Sequence, residues 1–218
     1  MRGLILAGAL AALLAAPAQA EDPQRVCSGH AAGANGEAVN VMIYLTAKGD
    51  RVGSFASWDP PRIGPPAPTA EAVPDVYFSM MYHQAGPSGL GPAGDPAIGA
   101  TAFAPPGKRG RGNAERQFAG LSVELTVDSS APQMLPLTVN ALFAPLPMTA
   151  MREAKAPALP ANAGTVTLRL VRSGKPPLST ARYDLSGTAE RDRLFTAAWQ
   201  NAETAARTPE TCEETVAP

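Results

Sequence analysis

Two short segments alternate apolar and polar side chains without a break, and this period of two limits the possible folds more than any other feature of the chain. In VNVMIYLT, Val39, Val41, Ile43 and Leu45 fall on one face and Asn40, Met42, Tyr44 and Thr46 on the other. In LSVELTVD, Leu121, Val123, Leu125 and Val127 alternate with Ser122, Glu124, Thr126 and Asp128. Successive side chains of a strand point to opposite faces, so each segment buries its apolar row as a half-buried β-strand, whereas a helix would scatter that row around its circumference. The same reading covers DVYFSMMYH (75–83), LPLTVNALF (135–143), TVTLRLV (165–171) and ARYDLS (181–186).

The connections point to antiparallel pairing. AKGD (47–50) separates the first strand from RVGSFASW by a hairpin-length turn with Gly49 at positive φ, and SSAPQM (129–134) does the same between two later strands. Strands that follow one another without helical crossovers predict a mainly β fold, an antiparallel β-sandwich of about seven or eight strands. One segment departs from this rhythm. Between Thr188 and Ala206 the residues Leu194, Phe195, Ala198, Trp199 and Ala202 recur at helical spacing, with Glu190 and Asp192 at the start, where the helix dipole favours acids. A C-terminal amphipathic helix is therefore predicted, with Phe195 and Trp199 stacked and docked on the sheet. The strand ARYDLSG running into this helix resembles, over about twenty residues, the ending of exported proteins of the invasion-associated locus B type, and no function is carried over from it.

Proline and glycine mark the loops. DPPRIGPPAPTAEAVP (59–74) reads as extended, polyproline-like coil, AGPSGLGPAGDPAIG (85–99) as a Gly/Pro connection, and 105–116 as a basic loop or hairpin tip. Within the second, Gly89, Gly91 and Gly94 match G-x-G-x-x-G. A dinucleotide fingerprint needs a helix opening directly behind it in a βαβ unit, whereas here Pro92 interrupts the turn, Pro96 follows, and no amphipathic helix begins.

The first twenty residues carry Arg2, an apolar run from Leu4 to Ala16, Pro17, and small residues at 18 and 20. This is the layout of a signal peptide cleaved near Ala20, followed by a single β-rich domain over 21–218 without a transmembrane segment in the mature chain. The expected location is periplasmic or secreted, in a Gram-negative bacterium of Ala-, Gly- and Pro-rich composition. Cys27 and Cys212 are the two cysteines, and in an exported chain such a pair reads as a disulfide stapling the N-terminal segment to the tail. Basic and acidic residues number 18 and 19, a balance that gives no reason to expect a nucleic-acid partner.

Residues that could carry chemistry are scattered. Met80, Met81 and His83 offer thioether and imidazole ligands of the kind that suit Cu(I), although Met81 and His83 share one strand face and Met80 the other. The competing reading makes the methionines core filler and His83 a strand-end surface residue. His30 is the second histidine. Ser88 lies in GPSGL, where the second glycine comes one residue too early for a nucleophile elbow. Asp75, Glu115, Glu124, Asp128 and Asp184 are candidates for paired-carboxylate hydrolysis, with Trp58 as an isolated stacking residue, but three of these acids keep the outward rhythm of their strands. Lys108, Arg109, Arg111 and Arg116 form a possible anion or partner patch without interleaved aromatics. No cofactor is implied. The expected function is that of an exported, non-enzymatic binding or envelope-interaction protein, engaging an unknown protein or envelope component through the loops 59–74, 85–99 and 105–116. A periplasmic hydrolase using surface carboxylates and a copper-handling protein are the alternatives.

Overall fold

The computed structural model describes residues 25–64, 74–83, 85–91, 94–103, 111–139 and 149–214. The signal segment, and with it the predicted cleavage near Ala20, lies outside the described residues, as do Lys108, Arg109 and most of the proline-rich run.

The described chain is mainly β. Its strands are β1 (Arg25–Ala32), β2 (Ala38–Leu45), β3 (Arg51–Asp59), β4 (Arg62–Ile63), β5 (Asp75–Tyr82), β6 (Asp95–Phe103), β7 (Leu121–Val127), β8 (Gln133–Val139), β9 (Thr149–Ala154), β10 (Thr165–Arg172), β11 (Ser179–Asp184) and β12 (Glu213–Glu214). Helix α1 (Arg111–Glu115) and a 3-10 turn at Arg116–Phe118 precede β7, and α2 (Thr188–Ala206) follows β11. The expected seven or eight strands are thus corrected to twelve among the described residues. They pair antiparallel into one open sheet in the order β12-β1-β2-β3-β5-β6-β9-β8-β7-β10-β11-β4.

VNVMIYLT and LSVELTVD form strands that bury their apolar rows, DVYFSMMYH, TVTLRLV and ARYDLS fall on β5, β10 and β11, and LPLTVNALF is strand over 135–139, its remainder lying outside the described residues. Val39, Val41, Ile43 and Leu45 are 3 % exposed or less, and Leu121, Val123 and Leu125 are likewise buried. Gly49 takes φ +87° in the turn that joins β2 to β3. The sheet curls until β5 packs across β10 and β11. Phe78 and Tyr183 meet there at 5.6 Å between ring centroids, and the Tyr183 hydroxyl donates to the Val76 carbonyl at 3.3 Å. A polar seam reinforces this closure. Arg62 of β4 holds Asp75 of β5 at 2.7 Å and donates to the Thr180 carbonyl of β11 at 3.1 Å, while the Ser179 hydroxyl donates to Asp75.

Three loop expectations need correction. Asp95–Gly99 belongs to β6, because Pro96 sits ahead of the stretch paired on both sides, Ile98–Thr101, where a missing N–H would break the ladder. Arg62 and Ile63 pair with Tyr183 and Arg182 as a two-residue strand inside the run read as coil. Arg111–Phe118 is helical rather than a loop tip, because Ala114 and Phe118 bury themselves beneath the chain and α1 packs on β9. Helix α2 lies over β1 and β2 and buries the anticipated residues Leu194, Phe195, Ala198, Trp199 and Ala202. The predicted disulfide is present: Cys27 of β1 and Cys212 are bonded with 4.6 Å between their Cα atoms.

Candidate functional site

The Gly/Pro segment between β5 and β6 forms one wall of the site. Gly86 and Gly89 exchange two backbone hydrogen bonds, at 2.9 and 3.0 Å, so Pro87 and Ser88 form the tip of a miniature hairpin. Gly89 adopts φ +141°, a conformation closed to most side chains. Ala85 and Leu90 are buried, and the Ser54 hydroxyl donates to the Ala85 carbonyl, so both ends of the hairpin are tied to the sheet. The segment connects two antiparallel strands, which agrees with its rejection as a dinucleotide loop.

The facing wall is α2. Between it and the Gly86–Gly91 hairpin runs a groove of about 610 Å³, floored by Phe195 and Trp199 and edged by Arg191, Thr196 and Gln200. Phe195 and Trp199 lie 5.7 Å apart. The Arg51 guanidinium sits 5.2 Å over the Trp199 ring and is itself held by Glu203, which fixes the indole from the sheet side. Arg191 also borders a smaller chamber of about 200 Å³, walled by Met80, Leu90, Leu159 and Leu185 with Trp58, Tyr82 and Thr188. Leu90, Gly91 and Arg191 line both spaces.

Arg191 is the charged residue at this junction. Its Nη2 lies 2.8 Å from Asp192, and its guanidinium stands 5.5 Å over the Trp58 ring. Burial pushes the Tyr82 hydroxyl above its ordinary pKa, and the charge of Arg191 and a hydrogen bond from it partly offset this. Trp58, read from sequence as a strand-end stacking residue, is 3 % exposed, and its indole N–H has no hydrogen-bond partner among the described residues. Sequence reasoning found the Phe195–Trp199 stripe but assigned it only to docking. It missed Arg191, which lies between two acids and looks like part of a solvated helix start. Glu190 does occupy the first turn, whereas Asp192 lies beyond it and serves Arg191.

The other candidates are placed apart from the groove or in structural roles. Met80 packs against the core, Met81 sits opposite Ser57 and Asp95, and His83 lies exposed past the end of β5, 3.8 Å from Asp95 and with its ring tilted against Phe55 at 5.5 Å between centroids. His30 meets Asn40 at 2.8 Å. Among the described residues no three His, Cys, Asp or Glu side chains come together as a metal cluster. Each candidate carboxylate has its own partner: Asp75 has Arg62, Glu115 has Arg152, and Glu124 has Arg169 at 3.1 Å across the β7–β10 pair. Asp128 accepts from the Gly164 and Thr165 backbone at 3.1 and 2.8 Å, and Asp184 accepts from Ser186 at 2.8 Å. Of the basic patch, Arg116 is engaged by Asn113, and only the backbone of Arg111 is described.

Fold and site together define an antiparallel β-sheet protein with a groove between its C-terminal helix and the Gly86–Gly91 hairpin. Comparison with protein-family models, with curated proteins and with solved structures gave no significant match, so the resemblance of the C-terminal strand and helix to the invasion-associated locus B type gains no family support.

Proposed function

We propose that this chain is an exported, non-enzymatic binding protein that takes an envelope component into the groove between the Gly86–Gly91 hairpin and α2. The observation that carries the reading is the groove itself, where α2 presents an aromatic floor, a polar rim and one arginine to the Gly86–Gly91 hairpin, about a hundred residues earlier in the chain. Recognition sites favour such a mixture of apolar area and a few oriented polar groups. Of the three loops expected to carry recognition, this reading selects 85–91. The disulfide is compatible with export, and no helix among the described residues is long and apolar enough to cross a membrane. The packing of β5 across β10 and β11 supports a sandwich-like reading of the curled sheet within a single domain over 21–218.

Carboxylate hydrolysis is the weaker reading, because each acid is committed to a structural partner. Copper handling gains little, because Met80 packs inward while His83 lies beyond the strand. A photoreactive residue at Ser88 tests the proposal: specific adducts with envelope material are expected there and not from the same residue at Val139, an exposed position on β8. Equal labelling from both positions, or none from either, would end it.

A further inference from the structure

The smaller chamber behind Arg191 differs in chemistry from the outer groove. Among the described residues lining it, the charged side chain is Arg191, and the remaining polar side chains are Trp58, Tyr82 and Thr188. Indole N–H and guanidinium groups donate only, while the two hydroxyls can donate or accept. No carboxylate lines the chamber among the described residues; Asp192, whose side chain is 61 % exposed, lines the outer groove and takes the Nε and Nη2 edge of Arg191. A guanidinium has five N–H donors, more than one carboxylate oxygen and the Tyr82 hydroxyl together satisfy.

Two further observations point to an acceptor-bearing ligand. The indole N–H of Trp58 is buried without a partner among the described residues, and an orphan donor of this kind calls for an acceptor, because leaving it unmade is costly. Thr188 opens α2, whose N-cap Gly187 provides no side-chain cap, so the amide end of a 19-residue helix lies at the same wall. The rest of the wall is aliphatic: Met80, Leu90, Leu159 and Leu185. The volume suits a single ring or a short branched chain, since a cavity of roughly 150 Å³ holds benzene.

Building on the groove reading, we infer that the chamber binds the carboxylate end of a small apolar acid. The carboxylate pairs with Arg191 and accepts from the Trp58 indole, the apolar body packs against the leucines, and any longer ligand continues into the outer groove. This assigns the ligand class as an aromatic or branched-chain carboxylate, free or at the end of a larger molecule.

The chain contains two tryptophans, so proton–nitrogen correlation spectra offer one indole resonance for the chamber, Trp58, and one for the outer groove, Trp199. The disulfide-bonded chain is titrated with sodium benzoate, benzyl alcohol and benzylamine. Benzoate is expected to shift the Trp58 resonance saturably, with an apparent Kd at least about tenfold below that of benzyl alcohol, and benzylamine is expected to give no saturable shift. Arg191→Gln erases the preference and Arg191→Lys keeps part of it, with the dispersed backbone amide resonances of β7 and β10 unmoved in both variants as the mark of an intact fold. A Trp58 resonance that ignores benzoate, or that answers all three probes alike, overturns the inference. If bound envelope material moves Trp199 while benzoate leaves Trp58 unmoved, the chamber assignment fails and the groove reading stands. If neither resonance answers any ligand, both fail.

Discussion

Gly29 of β1 and Ala198 of α2 meet backbone to backbone: a Cβ placed on Gly29 would lie 2.0 Å from the Ala198 carbonyl oxygen and 2.4 Å from the Ala202 nitrogen. Both alanines are fully buried. The close approach lets the helix lie flat on β1 and β2 and so sets the height of the groove floor. Gly29→Ala must push the helix away, and overpacking of this kind costs about 1–3 kcal/mol or more. Urea denaturation should show that loss together with a perturbed Trp199 fluorescence; a variant as stable as the parent would mean that the helix sits less tightly than described.

The disulfide joins residues 185 apart in sequence. In the chain-entropy model, closing such a loop destabilises the unfolded ensemble by about 5 kcal/mol. Paired Cys27→Ser and Cys212→Ser substitutions should lower the unfolding free energy by a large part of that amount. A change below about 1 kcal/mol would show that the ends are held by β12 pairing and helix docking alone.

Alkaline pH should loosen the seam where the sheet closes. Burial, the leading cause, pushes the Tyr183 pKa from 10.0 to about 12, with Arg62 pulling it down and Asp75 pushing it further up. A tyrosine that holds its proton more tightly folded than unfolded contributes its full stabilisation below the unfolded value and loses it as pH rises from 10.0 to about 12. The loss is about 2–3 kcal/mol for this residue, and the raised hydroxyls of Tyr44 and Tyr82 act with the same sign. Tyr183→Phe should flatten the alkaline slope in denaturant unfolding, and an unchanged slope would rule out this assignment.

Arg62 and Asp75 tie β4, the last strand of the sheet order, to β5 in its middle. Arg62→Met strands a largely buried carboxylate with Ser179 as its remaining partner among the described residues and should cost about 2–3 kcal/mol. Arg62→Met with Asp75→Leu removes both charges and should recover part of that loss. If the double variant is no more stable than the single one, the seam is not an isolated pair.

The strands that were legible in the sequence bury large side chains on alternate positions, as β2, β7 and β10 do. Strands β1 and β9 were not anticipated, because they turn small residues inward: Cys27 and Gly29 in one, Ala150 and Ala154 in the other. Small residues give hydrophobic periodicity little amplitude, yet Gly29 is what admits the helix. The disulfide was legible from count and compartment alone. The groove was not, because Arg191 and the Gly86–Gly91 hairpin are about a hundred residues apart in the chain and meet only once β5 and β6 have paired and α2 has docked. Phe195 and Trp199 were visible as a stripe, but a stripe that buries itself and a stripe that also floors a groove look the same in sequence.

The groove is the central claim, and filling it is the most direct test. Thr196 is exposed on the groove edge of α2 and Val139 is 60 % exposed on β8, so Thr196→Trp fills the groove and Val139→Trp adds the same bulk elsewhere, both at little cost to folding. Quantitative mass spectrometry of material retained from a detergent-solubilised bacterial envelope compares the parent with both variants. The expected result is a set of components retained by the parent and by Val139→Trp and lost with Thr196→Trp. Retention by all three alike, or by none, would contradict recognition through the groove.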